Sequence, residues 1–500
     1  MNVGQALSGG LFWLTLVLIV VYMGFCLFMG FKGNKGHTSV KEYFISNKNV
    51  GMFFLFFTCW GSFCGSGNFI GFAGAAAANG YGAYWSYAGD AILGYVIFSW
   101  FMAPKLAKFD YYTMPQYIAN HLCGNDKTVR RISGVAAALC NIAITGNQMK
   151  GLSYLFNIFL GVPRIPSLII AAAILIIYTA LGGMSAVVKT DAVQGILQVI
   201  GTVLTIAFGI GLMTSFPGGL EAAVAANDPG LVSSIFGKLS ARAAISGFLT
   251  GFFGDLCNPI MWNRAFIAKD SKTANICFKI ATFFGIVSTG LVMTLGLVGK
   301  AFNPEVGDWA TYWVILNKMP QFMVPLMALC FAGAIMSTAD THLNAGVANV
   351  VCDIIDPDEK LSVEKTISVS KISCYVCGAI GMIGAAFFPS IITISFFGLT
   401  VAGATIFPIY FIGNKLRAKE HENKGFTSNI SIKAARVAMI VGAIFSIVFD
   451  LVPGIKDWAG GGIIPGFLAT LIILWIGCKV CKPEYPIGGE PLMLEVHEVE

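Results

Sequence analysis

The chain has 500 residues, 56% of them hydrophobic and 12% charged, and a formal net charge of +6. A soluble domain carries roughly a quarter charged residues, so this composition cannot clothe a water-facing surface, and disorder needs the opposite balance. The 58 glycines follow no fixed period, which excludes collagen and points to closely packed or interrupted membrane helices.

In chain order, runs long enough to cross about 30 Å of hydrocarbon fall at 11–31, 51–78, 83–103, 132–160, 165–181, 192–213, 243–262, 280–298, 323–351, 372–388, 391–413, 437–452 and 463–477. These runs predict an all-α integral membrane protein of about 13 transmembrane helices. They are too long for the ten-residue alternation of a membrane β-barrel. The first run is not a cleaved leader, because its basic residues Lys32 and Lys35 follow the apolar stretch instead of preceding it.

The basic residues sit in short stretches between the runs, not beside an aromatic platform, so no nucleic-acid partner is expected. Of the 32 lysines and arginines, 25 fall on one side of the predicted membrane. That side is predicted to be cytoplasmic, with the N-terminus outside and the C-terminus inside a plasma (inner) membrane. The 13 cysteines lie mostly within apolar runs, where a thiol acts as a small hydrophobe. The pairs Cys374/Cys377 and Cys478/Cys481 have no second ligand pair at zinc spacing.

Two runs are unusual. Run 51–78 contains GSFCGSGNFIGFAG, whose glycines each cost a helix interior up to about 1 kcal/mol. Run 323–351 is over-long and carries the polar stretch AIMSTADTH near its middle. If such runs open sets of five spans, the two sets lie in opposite orientations, as in transporters built from inverted repeats.

The segments KEYFISNKNVG, TMPQYIA, YTALGGMSAVVKTDAVQ, NPIMWNRAFIAKD and FAGAIMSTADTHL follow in order between residues 41 and 413. In these and in the glycine-rich run the chain resembles the sodium:solute symporter family. The resemblance implies the LeuT-type fold, a 5+5 inverted-repeat core with a discontinuous first helix. It implies one transport domain over 1–500: an extra helix at 11–31, repeats at 51–215 and 240–417, extra helices at 431–480 and a cytoplasmic tail at 481–500. It also implies Na+ as the co-transported ion, no organic cofactor, and a small organic solute as partner beside the lipid bilayer.

Sodium takes oxygen ligands, and an unwound helix frees carbonyls to supply them. By the resemblance, the carbonyls of Gly61, Cys64 and Ala334 and the hydroxyls of Ser337 and Thr338 bind it. Alternatively, the two hydroxyls only bond back to carbonyls four residues earlier. Some family members hold a second sodium one turn along; here Asp191, Ser337, Asp340 and Thr341 occupy those positions, predicting a second cation or proton site. An ion pair with a lysine such as Lys189 is the other reading.

Solute contacts are expected from Asn68, Phe72, Tyr87, Asp90, Asn147, Lys150, Asp255 and Asn258, and an outer gate from Phe396 and Phe397. In one reading Lys150 meets a solute carboxylate while Asp90 or Asp255 meets an amino group; in the other, Lys150 pairs within the protein. Buried charge of both signs favours a charged or zwitterionic solute. Arg264 is expected in a cytoplasmic ion pair or gate.

The sequence lacks HExxH, GxxxxGK[ST] and a soluble domain to hydrolyse ATP, so an enzyme or primary pump is not expected. About two dozen residues after Gly477 are too few for the kinase of a sensor. Sodium-driven uptake by alternating access is the predicted function, with proton coupling, and more remotely a sensor or channel, as alternatives.

Overall fold

A computed structural model describes residues 7, 9–33, 39–45, 48–415 and 430–481. Among these the chain is almost entirely helical, and the β contact recorded is an isolated bridge between Val50 and Ala268. The helices that position the site are α1 (Gly9–Gly33), α2 (Met52–Phe63), α3 (Phe72–Asn79, entered through Gly67–Gly71), α4 (residues 83–106), α5 (Lys127–Leu160) and α6 (Arg164–Met213). They continue as α7 (Ala241–Leu256), α8 (Pro259–Ile267), α9 (Ser271–Phe302), α10 (Val324–Ala348, extended by Asn349–Ile355), α11 (Val363–Phe387), α12 (Ile391–Lys415), α13 (Ile432–Leu451) and α14 (Ile463–Val480).

Among the described residues, 9 helices are long and apolar enough to cross a membrane, and α2 with the run Gly67–Leu106 forms a tenth candidate bent by 43°. The remaining expected spans do not qualify alone. The middle of α5 carries Asn141, Thr145, Asn147, Gln148 and Lys150, and α7 has only 16 residues.

The glycine-rich run breaks as its composition predicts. Cys64 leaves helical geometry at φ −111° and ψ 55°. The orphaned Ser66 amide is then satisfied by Gln148 Oε1 at 2.8 Å. Close approach explains the glycines here: a Cβ on Gly61 would lie 2.4 Å from Ser337 Oγ, and one on Gly65 2.6 Å from Thr338 Oγ1.

A second break was not expected. Run 243–262 reads as one span, yet α7 stops at Leu256 and α8 begins after Asn258. Asn258 caps α8 by accepting from Ile260 N at 3.3 Å, and Pro259 occupies the first helical position, where its missing N–H costs nothing. Trp262 Nε1 donates to the freed Leu256 carbonyl at 2.9 Å. The polar stretch in run 323–351, by contrast, stays helical within α10. Breaks thus follow both α2 and α7.

α6 is one helical run of 50 residues that contains two membrane-length spans, Arg164–Gly182 and Thr190–Met213. Tyr178 and Thr190 share a hydroxyl–hydroxyl bond of 2.5 Å. Twelve residues of straight helix cover about 18 Å, so the run turns sharply between them. The Lys189 side chain lies outside the described residues, as does the tail beyond Cys481.

Every side chain of α10 from Cys330 to Ala348 is buried, against α1, α5 and α6. Helices α13 and α14 pack on each other and on α12. Trp13, Trp100 and Trp475 are exposed on the outside of the bundle, where interfacial anchors belong.

Candidate ion and solute site

The break after α2 faces the middle of α10, and its carbonyls meet the hydroxyls there. Thr338 Oγ1 donates to the Gly61 carbonyl at 2.6 Å and back to the Ala334 carbonyl at 3.2 Å, so the reach across helices and the local back-bond coexist. Gln198 Nε2 lies 3.4 Å from both the Cys64 and the Ala334 carbonyl. Ser337 Oγ donates to Asp191 Oδ1 at 2.6 Å. The carbonyls of Gly61, Cys64 and Ala334 are thus linked through Thr338 and Gln198, while the Ser337 hydroxyl goes to Asp191.

One turn along α10 the surroundings change. Arg264, fully buried on α8, places Nη2 at 2.5 Å from Thr341 Oγ1 and 3.4 Å from Asp191 Oδ2, while its Nε donates to Ser62 Oγ at 3.2 Å. Asp191 also accepts from Thr58. A guanidinium therefore stands among three of the residues expected to hold a second cation. Asp340, the fourth, is fully buried, and neither of its carboxyl oxygens has a hydrogen-bond partner.

Beside this junction, a cavity of about 40 Å³ opens between the two helix breaks. Asn68 and Phe72 line it from the first break, and Asp255 and Asn258 from the second. Asp90 and Tyr95 of α4, Asn147 of α5 and Phe396 of α12 complete the wall. Thr338, which bridges α10 to the Gly61 carbonyl, also lines it.

Residues 43–414 match the sodium:solute symporter family. The chain belongs to that family. Among the relatives is a sodium/proline symporter of Staphylococcus aureus (strain JH9), 25% identical, with the match covering 94% of this chain and 93% of that one. The fold resembles that of a Na+-coupled sialic acid symporter in a substrate-bound outward-open state, at TM-score 0.69 and 16% identity, covering 94% of this chain and 98% of that one. A nucleobase-cation-symport-1 family transporter also matches, at TM-score 0.54 and 13% identity, over 90% and 96% of the two chains. These neighbours have the LeuT fold. This sodium:solute symporter is accordingly a multi-pass membrane transporter, not an enzyme, and couples Na+ to a small solute.

Not every expected solute residue reaches the cavity of this symporter. Lys150 donates to the Phe388 and Pro389 carbonyls, and Tyr87 donates to the Ile286 carbonyl at 2.5 Å. Neither lines the cavity, and Phe397 stays behind Phe396 against Phe388. Asn147 bonds Ser66 and Ser395, tying the first break to α5 and α12, and Asn68 donates to Thr289 at 3.1 Å.

Sequence reasoning missed Gln198 and Tyr95. The first carried a signal: Gln194 and Gln198 stand one turn apart in an apolar span, a spacing that puts two amides on one buried face. Nothing in the sequence marked which lysine or arginine would turn inward.

Proposed function

We propose that this protein takes up a small organic solute across the plasma membrane by alternating access, N-terminus outside and C-terminus cytoplasmic, driven by one Na+. The ion is held by the carbonyls of Gly61, Cys64 and Ala334 and the hydroxyls of Ser337 and Thr338. The observation that carries this reading is the bridge from Thr338 to the Gly61 and Ala334 carbonyls, which makes the geometry of the broken helix depend on what sits between it and α10. An ion there fixes the break, and the break forms one wall of the solute cavity, so ion and solute stabilise each other reciprocally. The inverted repeats at 51–215 and 240–417 are the two moving halves of this reading.

One sodium crossing about 100 mV supplies roughly 2.3 kcal/mol from the potential alone, about a fiftyfold accumulation. The Arg264 guanidinium already neutralises Asp191, which favours one coupled sodium over two. Solute-saturable uptake into proteoliposomes that collapses when sodium is replaced by choline supports the reading; non-saturating flux would mark a channel.

Asp340 favours a second reading, because a buried carboxyl without a hydrogen-bond partner is expected to hold a proton or a cation. In that reading a proton gradient drives uptake in sodium-free buffer, and Asp340→Asn abolishes it.

A further inference from the structure

The cavity holds two carboxyl groups that the ion site does not use. Asp90 on α4 and Asp255 on α7 are 6% and 1% exposed, and both line it. Their placement is reciprocal. A Cβ on Gly251 would fall 2.8 Å from the Cβ of Asp90, and a Cβ on Gly94 would fall 3.0 Å from the Cβ of Asp255. Gly251 lies one turn before Asp255 and Gly94 one turn after Asp90, so each aspartate rests on the glycine of the other helix. The two backbones touch there, and the carboxyls face each other.

Two like charges at such a crossing repel unless a shared proton or another cation lies between them. No lysine or arginine is among the residues that line the cavity; Lys150 and Arg264 are bonded elsewhere. Asp90 Oδ1 and Asp255 Oδ2 are buried without hydrogen-bond partners, and Asn258 approaches only the other Asp255 oxygen, at 3.5 Å. The two carboxyls also lie within hydrogen-bonding reach of each other, and Asp90 within reach of Tyr95, so a donor entering from the cavity would take the place of those contacts.

The aromatic walls fit the same occupant. Phe63 stacks on Tyr95 with ring centroids 4.8 Å apart, and Phe72 meets Phe396 edge-on at 6.3 Å. Ring faces beside a carboxylate attract an organic cation, whereas a carboxylate solute would find no lysine or arginine on these walls.

We propose that the Asp90–Asp255 pair is the recognition subsite for a protonated amine of the transported solute, whose N–H groups donate to the two carboxyls in place of their mutual contact while the aromatic walls flank its carbon skeleton. This deepens the symport reading and rests on it. It also sorts the earlier alternatives: the amine side of the solute has a partner in the cavity, and Lys150 does not supply the acid side.

The test uses the purified full-length protein and three probes with one carbon skeleton: isobutylammonium chloride, isobutanol and sodium isobutyrate. Thermal unfolding is followed with and without sodium. Isobutylammonium is expected to raise the unfolding midpoint in the presence of sodium, and the other two to leave it unchanged. Asp90→Asn and Asp255→Asn should each weaken the apparent isobutylammonium affinity at least tenfold while keeping the stabilisation given by sodium alone, which shows that the variants are folded. Asp90→Glu, which keeps the charge, should retain part of the response.

The proposal is overturned if isobutanol or isobutyrate stabilises as well as the amine, or if the asparagine variants respond like the parent. It is also overturned if isobutylammonium merely competes with sodium, since the pair would then be an inorganic cation site. Failure of the symport reading looks different: sodium alone would not stabilise the parent protein, whatever the amine does.

Discussion

The Arg264 guanidinium lies 3.4 Å from the Asp191 carboxylate, and both side chains are fully buried. The pair joins α8, just after the second helix break, to α6, and it also holds Thr341 of α10. Breaking a buried pair from one side leaves an uncompensated charge and costs about 3–5 kcal/mol. Arg264→Gln should therefore lower stability by that order, while the double variant Arg264→Gln/Asp191→Asn should regain most of it. Unfolding midpoints in detergent check this; a double variant no more stable than the single one would show that the pairing is not what matters.

Thr338 offers the cleanest test of the ion site. Removing a hydroxyl ligand from a cation forfeits about 1.5–3 kcal/mol, a roughly tenfold to hundredfold loss in affinity. Thr338→Ala should raise the sodium concentration for half-maximal uptake by that factor and leave the maximal rate at saturating sodium largely intact. An unchanged sodium dependence would remove Thr338 from the ligand set.

Gly61 separates packing from ion binding. A Cβ there would lie 2.4 Å from Ser337 Oγ but 3.5 Å from Ser337 Cβ, so the conflict is with the hydroxyl alone. Gly61→Ala should impair both folding yield and uptake. Adding Ser337→Ala should restore the yield but not the sodium affinity, as sodium titration of thermal stability will show.

Lys150 is a helix clamp in this structure, satisfying the Phe388 and Pro389 carbonyls where α11 gives way to α12. Losing each of these part-buried hydrogen bonds costs about 0.5–1.5 kcal/mol. Lys150→Met should lower the unfolding midpoint while the solute concentration for half-maximal uptake moves by less than threefold. A large shift in that concentration with unchanged stability would return Lys150 to the solute site.

Much of the ion site was legible because its signals are local. Glycine density in GSFCGSGNFIG marks a helix that cannot stay wound, and adjacent Ser337 and Thr338 mark the polar point of an apolar helix. The second break was hidden in the same data. Its cue is Asn258–Pro259, an N-cap followed by a first-turn proline, inside a run whose apolar content reads as continuous. The polar stretch of run 323–351 stays helical because its side chains bond to neighbouring helices, as Thr338 does to Gly61 and His342 to Asn141 at 2.8 Å.

By itself the sequence determined that the chain is a helical membrane protein and where one helix comes apart. These follow from composition, periodicity and glycine content, which act over one or two helical turns, whereas the oxygens expected to meet a cation there were implied by the resemblance to the family. Only the tertiary structure decided the fate of the buried charges, because a charged side chain pairs with whatever helix crosses beside it. That crossing sent Arg264 to Asp191, Lys150 to two carbonyls away from the cavity, and Asp90 and Asp255 to each other across 165 residues of chain, over a contact that only glycines on both helices allow.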